Sequence, residues 1–317
     1  MPSPQPDELR HAYGFDEVAI VPGDITINPD QTNIDFKVDK LTFAIPIIAA
    51  AMDAVTDTSF AIKMSKLGGL AVLNLEGVQT RYDNSEEILT EIAQAPRGKV
   101  TSLLQKIYSQ PIKESLINQR IQEIKRGGAI CAVSVTPANT KRFASIASEA
   151  QADILIIQST VTTARHISKS YRGLSFSELC KSVPIPIIVG NCVSYNACLE
   201  LMETGISGVL VGVGPGAACT TREVLGIGVP QITATMDCAA ARDAYFNESG
   251  RYVPIITDGG FRKGGELCKA FAAGANGVML GSIFARAQEA PGQGYHWGMS
   301  QPHSALPRGT RIETGTT

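Results

Sequence analysis

The sequence predicts a single α/β domain folded as a (β/α)₈ barrel, and two observations support this fold class. The first is a series of eight short apolar runs that are rich in β-branched residues and nearly continuous rather than alternating. Such runs are typical of parallel strands buried on both faces. The second is that stretches of helical periodicity separate most of these runs. An open doubly wound sheet is the alternative, but eight strands in roughly 250 residues favour a closed barrel.

The eight apolar runs span residues 45–50, 70–75, 129–135, 153–159, 185–191, 208–214, 253–259 and 277–282. The periodicity predicts helices over residues 58–67, 139–150, 195–204 and 263–273. Gly68, Gly205 and Gly274 follow three of these helices, and glycine in such a position supplies the left-handed conformation that ends a helix. Strand and helix therefore alternate along most of the chain.

Two segments lie outside this alternation. Residues 1–44 form an N-terminal extension that precedes the first strand. Residues 76–127 separate the second and third strands and carry two charged helical patterns, at 84–94 and 111–126. Between these patterns we expect a Pro-Arg-Gly-Lys turn and a short strand. Because the segment is too long for a simple crossover, we interpret it as an insertion within one domain of residues 1–317.

The composition favours an enzyme that acts on small molecules. A net charge of −2 and a pI near 6.1 provide no basic surface for nucleic acid, and the aromatic residues are not interleaved with Lys or Arg. No apolar run approaches the roughly 20 residues that span a bilayer, so no membrane partner is expected. The polar, proline-rich N-terminus does not resemble a signal peptide. Seven cysteines without a C-x-x-C pair indicate free thiols and a reducing, cytoplasmic location.

In a barrel of this kind, the active site lies at the carboxyl ends of the strands. The candidate residues at these ends are Met52 after the first strand, Gln158, Ser159 and Thr160 after the fourth, Asn191 after the fifth, Cys219 after the sixth, Asp258, Gly259 and Gly260 after the seventh, and Gly281 and Ser282 after the eighth. Asn191 either anchors a ligand or satisfies its own loop, and Met52 is either a core residue or a ligand contact. The four histidines show no metal-ligand spacing, which argues against a metal hydrolase.

The strongest signal is Cys219, in the loop Gly-Val-Gly-Pro-Gly-Ala-Ala-Cys-Thr-Thr at 212–221. Three glycines and a proline predict a tight turn that exposes backbone amides and carbonyls. A cysteine after such a turn can be exposed and oriented by Thr220 and Thr221, and exposure at a helix start favours a nucleophilic thiolate. The alternative is a small buried cysteine that closes the loop, which is the ordinary role of the other cysteines.

The turns after the seventh and eighth strands predict a phosphate site. Glycines at 259, 260 and 281 expose backbone amides to an anion, and barrels commonly bind phosphate at these two strands. Asp258, directly before two glycines, can accept two hydrogen bonds from a ribose diol. The alternative is that these glycines only shape the turns.

Several short motifs are specific enough to indicate a family. They are Phe-Asp-Glu-Val-Ala-Ile-Val-Pro at 15–22, Ile-Ile-Ala-Ala-Ala-Met-Asp at 47–53, Gly-Pro-Gly-Ala-Ala-Cys-Thr-Thr-Arg at 214–222, Gly-Val-Pro-Gln at 228–231, Asp-Gly-Gly at 258–260, and Met-Leu-Gly-Ser at 279–282. Together they resemble the IMP dehydrogenase / GMP reductase family. Glu-Ala-Pro-Gly at 289–292 is more similar to the dehydrogenase. The short 76–127 segment, in place of paired CBS modules, resembles the branch of IMP dehydrogenases lacking CBS domains.

The resemblance implies a reaction. The thiolate of Cys219 would attack C2 of the hypoxanthine ring of IMP, and hydride would pass from C2 to the nicotinamide of NAD⁺. Water would then release XMP from the covalent thioimidate, with Thr221 assisting the proton transfers. The resemblance also implies a homo-oligomer, either a square tetramer or an octamer.

The resemblance further implies binding roles for individual residues. They are ribose binding by Asp258, phosphate binding by Gly259, Gly260, Gly281 and Ser282, contacts to the purine edge by Met299 and Ser300, pocket lining by Met52, Asn191 and Gly212, NAD contacts by Gln158, Ser159 and Thr160, and K⁺ coordination by the carbonyls of Gly214, Gly216 and Cys219.

The sequence also departs from the family pattern. Ala50 and Ala217 stand where the family often has phosphate-binding serines, and each lost hydrogen bond to a charged group costs about 1.5–3 kcal/mol. Gln158 stands where many dehydrogenases have an Asp for the NAD ribose. The segment after Met299 lacks the Arg-Tyr pair with which the family activates water, so Arg308 or Arg311 becomes the candidate for that role. No helix follows the eighth strand before Thr317, so we expect a C-terminal segment to be missing.

Three functions remain open at this point. The first is an IMP dehydrogenase without CBS regulation. The second is a GMP reductase that uses NADPH and the same Cys219 in the reverse redox sense. The third is a catalytically silent nucleotide-binding barrel, against which the intact Cys-Thr-Thr sequence argues.

Overall fold

In the computed structural model, residues 9–167, 173–298 and 311–316 are described. The strands are, in chain order, β1 (Phe36–Val38), β2 (Leu41–Phe43), β3 (Ile47–Ala49), β4 (Leu70–Asn74), β5 (Ala132–Val135), β6 (Ile154–Gln158), β7 (Ile187–Cys192), β8 (Gly208–Val211), β9 (Ile255–Asp258), β10 (Gly277–Leu280), β11 (Tyr295–His296) and β12 (Ile312–Glu313). Strands β3 to β10 pair in parallel in sequence order, and β10 closes on β3. The predicted eight-stranded barrel is confirmed, and each barrel strand falls within one of the predicted apolar runs, except that β7 extends one residue further, to Cys192.

Barrel strands are apolar on both faces because alternate side chains enter two different cores. On β6, Ile154 and Ile156 point into the barrel, where they pack with side chains such as Ile48 and Met279. Leu155 and the other outward residues of the strands pack under the surrounding helices. Neither face contacts water, so the continuous apolar run is the expected sequence pattern for these strands.

A hairpin in the N-terminal extension closes the bottom of the barrel. Strands β1 and β2 pair antiparallel, and Phe36 and Phe43 join the interior core with ring centroids 5.8 Å apart. A Cβ atom at Gly277, the first residue of β10, would lie 3.1 Å from the Phe36 ring. The hairpin therefore lies at the amino ends of the strands, opposite the predicted site. Sequence reasoning did not predict it.

The helices are α1 (Thr58–Lys66), α2 (Ser85–Gln94), α3 (Val100–Tyr108), α4 (Glu114–Arg126), α5 (Thr140–Glu149), α6 (Phe176–Ser182), α7 (Tyr195–Glu203), α8 (Thr221–Leu225), α9 (Gln231–Ser249) and α10 (Gly264–Ala272). The four predicted crossover helices correspond to α1, α5, α7 and α10. The side chain of Asp57 accepts a hydrogen bond from the Phe60 amide and so caps the start of α1. Within the described residues, no helix is long and apolar enough to cross a membrane.

The 76–127 segment differs from its prediction in two respects. The expected short strand is wrong, because residues 100–108 form helix α3, whose buried Val100, Leu104 and Ile107 recur at helical spacing. In addition, α4 packs between α1 and α5 and serves as the crossover helix after β4. The additional structure is therefore limited to α2, α3 and their connections, which form a separate small core around Leu89 and Ile92.

The nineteen-residue helix α9 is the longest helix of the described chain, and its pattern was not recognised in the sequence. Its buried face consists mostly of small residues, among them Ala234, Cys238 and Ala241. Small side chains allow α9 to pack closely on α7, but they give little apolar contrast between its two faces. Hydrophobic periodicity therefore does not reveal this helix in the sequence, because α9 packs through close approach of its backbone to α7 rather than through large apolar side chains.

After β10, the described residues form a short 3₁₀ turn (Phe284–Arg286) and the antiparallel pair of β11 and β12. The guanidinium of Arg311 donates to the carbonyls of Ile92 and Ala93 at 2.5 and 2.6 Å, and it lies over the Tyr295 ring at 4.1 Å. Arg311 thus attaches β12 to the end of α2. This contact corrects the prediction that Arg311 could activate water. Arg308 lies outside the described residues.

Candidate active site

The loop after β8 begins with a backbone conformation that only glycine adopts readily. Gly212 has a φ of 142°, and a Cβ atom there would lie 2.5 Å from the Asp258 carbonyl oxygen and 2.6 Å from Gln231 Nε2. Gln231 Nε2 in turn donates to the carbonyls of Val211 and Asp258 at 2.9 and 3.0 Å. The carboxyl ends of β8 and β9 are therefore held together by a side chain from α9.

Cys219 is exposed at the end of this loop, as predicted. Its amide donates to the Gly216 carbonyl at 3.0 Å, and its thiol donates to the Thr221 hydroxyl at 3.1 Å. Among the other cysteines, only Cys268 is exposed, and it lies on α10. Cys219 is thus the exposed thiol at the carboxyl ends of the strands, and its nearest protic side chain is that of Thr221.

Arg222 supports the cysteine loop, and sequence reasoning assigned it no role. Its Nε donates to the Val213 carbonyl at 3.0 Å and its Nη2 donates to the Val229 carbonyl at 2.6 Å. Burial lowers the pKa of Arg222, and the neighbouring Cys219 raises it. The guanidinium therefore ties the start of the loop to the segment after α8 and places positive charge near the Cys219 thiol.

The predicted phosphate turn contacts the cysteine loop directly. Gly259 and Gly260 have φ values of 82° and 85°, and Cβ atoms there would lie 3.3 and 3.1 Å from the ring of Pro215. On the other side of the barrel mouth, a Cβ atom at Gly281 would lie 2.9 Å from Met52 Sδ. Ser282 follows and is partly buried. The structure thus brings the turn after β9 against the loop after β8, and the turn after β10 against the end of β3.

Asp258 lies between these groups and receives two amide hydrogen bonds. Gln158 Nε2 and Asn191 Nδ2 both donate to Asp258 Oδ2 at 2.9 Å. Burial raises the pKa of Asp258 to about 6, although both amide hydrogen bonds act to lower it. The Oε1 atom of Gln158 is buried and has no hydrogen-bond partner among the described residues. Gln158 therefore faces the predicted ribose site and retains an unused acceptor.

The remaining residues predicted to contact cofactor or substrate lie directly after β6 and after residue 298. The Ser159 hydroxyl donates to the Val161 carbonyl at 2.9 Å and lies 2.8 Å from the Thr162 hydroxyl, so it stabilises its own turn. Thr160 is exposed. Met299 and Ser300, which were predicted to contact the purine edge, lie outside the described residues.

A buried chain of hydrogen bonds lies next to Met52 of the site. Trp297 Nε1 donates to the Tyr108 hydroxyl at 2.8 Å, and this hydroxyl donates to the carboxylate of Asp53. The Val78 amide also donates to Asp53, at 2.9 Å. Burial raises the pKa of Asp53, and these two hydrogen bonds lower it. The chain connects the residue after Met52 to helix α3, and no local sequence signal could have identified this long-range contact.

Fold and site together define a class, a closed β/α barrel that presents an exposed cysteine beside glycine-rich turns at the carboxyl ends of its strands. Residues 12–301 match the profile of the IMP dehydrogenase / GMP reductase domain. The chain belongs to this family of oxidoreductases.

Individual relatives agree with this assignment. An uncharacterized oxidoreductase of Mycobacterium tuberculosis is 35% identical over 311 residues, which cover 96% of this chain and 83% of that protein. The inosine-5'-monophosphate dehydrogenase of Cryptosporidium parvum is 31% identical over 288 residues, 88% of this chain and 69% of that protein. The crystal structure of an IMP dehydrogenase/GMP reductase-like protein from Corynebacterium glutamicum has a TM-score of 0.90 at 35% identity, and the match covers 96% of this chain and 82% of that one.

The raised pKa of Asp258 predicts a specific dependence of stability on pH. The folded carboxyl titrates near pH 6 and the unfolded one near 3.8, so its stabilising contribution is complete below about 3.8 and is lost as the pH rises through 6. Asp258→Asn stays uncharged. Relative to wild type, its free energy of unfolding should increase by up to about 3 kcal/mol between about pH 4 and 7. Urea unfolding across this range measures the difference, and a difference independent of pH would contradict it. Asp30→Asn, at an exposed position, is the control.

The contact between Cys219 and Thr221 predicts a change in thiol reactivity. Thr221→Val removes the hydroxyl that can donate to the thiolate, so alkylation of Cys219 by iodoacetamide should slow by about 10- to 100-fold. Mass spectrometry of the Cys219 peptide measures this rate, with the exposed Cys268 as the internal reference. Thr221→Ser should retain the wild-type rate. Equal slowing in the neighbouring variant Thr220→Val would show that the hydroxyl at 221 is not responsible.

Proposed function

We propose that this chain is an NAD-dependent IMP dehydrogenase that oxidises IMP to XMP, with Cys219 as the nucleophile. The observation that carries the proposal is the exposed Cys219 thiol, 3.1 Å from the Thr221 hydroxyl, on a loop that packs against the Gly259-Gly260 turn. A loop that carries the nucleophile and packs against a phosphate-binding turn suits a substrate whose reacting ring and phosphate belong to one nucleotide. The family of the chain supplies the class of reaction.

The proposed reaction has two halves. In the first, Cys219 Sγ forms a bond to C2 of the hypoxanthine ring, and the C2 hydrogen leaves as hydride to NAD⁺. In the second, water attacks C2 of the thioimidate, the carbon–sulfur bond breaks and XMP leaves. The overall change consumes IMP, NAD⁺ and water and yields XMP, NADH and a proton. Thr221 is suited to stabilise the thiolate at the start of the first half and at the end of the second.

The substrate contacts follow from the strand ends. An ionised Asp258 can accept both ribose hydroxyls, and its pKa of about 6 leaves it ionised at neutral pH. The amides of Gly259, Gly260 and Gly281 and the Ser282 hydroxyl can donate to the phosphate. Ala50, whose methyl group would lie 3.9 Å from a Cβ atom at Gly281, offers no hydrogen bond there, and neither does Ala217. We therefore expect a weaker hold on the phosphate than serines would provide. Met52, Asn191 and Gly212 would line the pocket around the base.

NAD⁺ supplies the hydride acceptor when bound. We assign Gln158, Ser159 and Thr160 to its side of the pocket. The partnerless Oε1 of Gln158 can accept a hydrogen bond from a ligand hydroxyl, while its amide remains on Asp258. The hydroxyl of Thr160 is exposed and available, whereas that of Ser159 holds the turn.

The cysteine loop also has the donor atoms for K⁺. The carbonyl oxygens of Gly214, Gly216 and Cys219 are neutral hard ligands of the kind that replace the hydration shell of this ion. The Gly216 carbonyl already accepts the Cys219 amide at 3.0 Å, which leaves it one further lone pair for a cation. The residues therefore fit the ion in kind, and its role would be to order the loop.

A second candidate is the reverse redox reaction, the reduction of GMP to IMP with NADPH. One observation favours it. In the described part of the chain, the Thr221 hydroxyl is the side-chain group that hydrogen-bonds to Cys219, and no carboxylate or guanidinium does so. Reduction of GMP releases ammonia and requires no activated water, so it has less need of a base at this position.

Exposed apolar side chains support the proposal of a homo-oligomer. Residues 20–34 include Ile20, Val21 and Ile25 at 49, 85 and 84% exposure, and Leu225 after the cysteine loop is 63% exposed. A cluster of exposed apolar side chains within one segment, as at residues 20–34, is typical of an interface. We propose a tetramer or octamer, which would cover these residues.

The experiment that tests the proposal compares two substrate pairs in K⁺ buffer, IMP with NAD⁺ and GMP with NADPH. Absorbance of the reduced cofactor should increase with the first pair and stay constant with the second. Cys219→Ala should abolish the signal, because no other described thiol lies at the strand ends with an exposed side chain.

Cys268→Ala, which removes the exposed thiol on α10, is the matched control and should leave turnover unchanged. Consumption of NADPH with GMP would establish the second candidate instead. Turnover that survives Cys219→Ala would refute the assigned nucleophile, and inactivity with both pairs would favour the silent barrel.

A further inference from the structure

Three buried cysteines converge in the core between the barrel and its surrounding helices. Cys192 ends β7, Cys198 lies in the first turn of α7, and Cys238 lies in the middle of α9. Each side chain is at most 2% exposed, and the three Sγ atoms all lie within 4.8 Å of one another. Sequence spacing gave no indication of this group, because its members come from three separate elements. It is separate from Cys219, which is exposed.

The hydrogen bonds of these thiols are long. Cys198 Sγ donates to the Cys238 carbonyl at 3.7 Å, and Cys238 Sγ donates to the Ser194 carbonyl at 4.0 Å. A point exists that is no more than about 2.8 Å from all three sulfurs, compared with a Zn–S bond of about 2.3 Å. Shifts of about half an ångström would therefore bring all three sulfurs to bonding distance of one ion.

The surroundings offset the negative charge of thiolates. Arg242, one helical turn after Cys238, is buried and lies close enough to Cys198 for its positive charge to act on that thiol. Cys198 also lies at the amino end of α7, where the helix dipole favours an anion. Three thiolates with one divalent ion carry a net charge of −1, which the guanidinium offsets in part, because it also pairs with the exposed Asp243 at 2.9 Å.

We propose that Cys192, Cys198 and Cys238 form a buried binding site for a thiophilic closed-shell metal ion, Zn²⁺ or Cu⁺. Thiolate sulfur selects these ions over Mg²⁺, Ca²⁺ and Mn²⁺, which prefer oxygen. The Ser194 carbonyl, 4.0 Å from Cys238 Sγ, is the nearby oxygen that could complete four-coordination of zinc. Cu⁺ needs no fourth ligand.

The site would join the end of a barrel strand to the two helices outside it. Because Cys192 follows Asn191, which donates to Asp258 at 2.9 Å, the bound ion would also stabilise the strand end that carries this contact. Its role is structural, since the three thiols are buried in the core between the barrel and its surrounding helices. A bound ion should raise the melting temperature by mass action.

The test measures the metal content of the full-length chain, expressed in minimal medium supplemented with Zn²⁺, Cu⁺-generating copper salt or Co²⁺, and purified under reductant. We expect about one ion per chain in the zinc or copper arm. The cobalt protein should show a thiolate-to-cobalt charge-transfer band in the near ultraviolet. Whichever of the zinc and copper arms retains its ion after dialysis identifies the ion.

The variants Cys198→Ala and Cys238→Ala should lose the ion and the cobalt band. Cys131→Ala, a buried thiol outside the cluster, and Cys219→Ala should retain both. Cys238→Ser, which preserves the volume of the side chain, distinguishes lost ligation from lost folding, with circular dichroism as the check. Absence of tightly bound metal in every arm, or its loss with Cys219→Ala, would overturn the proposal. Neither result depends on turnover, so the test is independent of the proposed reaction.

Discussion

The close approach of the loop after β8 to the turn after β9 is the constraint on which the site depends. A Cβ atom at Gly212 would lie 2.5 Å from the Asp258 carbonyl, and Cβ atoms at Gly259 and Gly260 would lie only 3.3 and 3.1 Å from Pro215. Two backbone segments that touch in this way bring the loop that carries Cys219 against the turn that we propose to bind phosphate. A side chain at Gly212 would force the two segments apart, and one at Gly259 or Gly260 would strain the backbone at its positive φ.

Hydrogen bonds from side chains then hold these segments in place. Gln231 donates to backbone carbonyls of β8 and β9, and Gln158 and Asn191 donate to the same carboxylate oxygen of Asp258. Burial raises the pKa of this carboxyl group to about 6 against these hydrogen bonds, so its charge is available for a ribose diol at pH 7. The buried chain from Trp297 through Tyr108 to Asp53 supports the opposite wall, next to Met52.

The sequence was sufficient to predict the barrel because parallel strands buried on both faces have a distinctive continuous apolar pattern. It was also sufficient for the cysteine loop, where glycine and proline mark the turn. It was not sufficient for α9, whose buried small residues lack amphipathic contrast, or for α3, where a helix was mistaken for a strand. Arg222 and Tyr108 were missed for another reason. Their roles arise from contacts that form only when distant segments fold together.

The central claim is that Cys219 becomes covalently bonded to the purine during the reaction. Its most direct test is to mix the protein with IMP and NAD⁺, quench with acid, digest, and weigh the peptide that contains Cys219. The account predicts a nucleotide adduct on that peptide when both reactants are present, and none when NAD⁺ is omitted. Full turnover with no adduct on Cys219 at any quench time, or an adduct on a different cysteine, would contradict it.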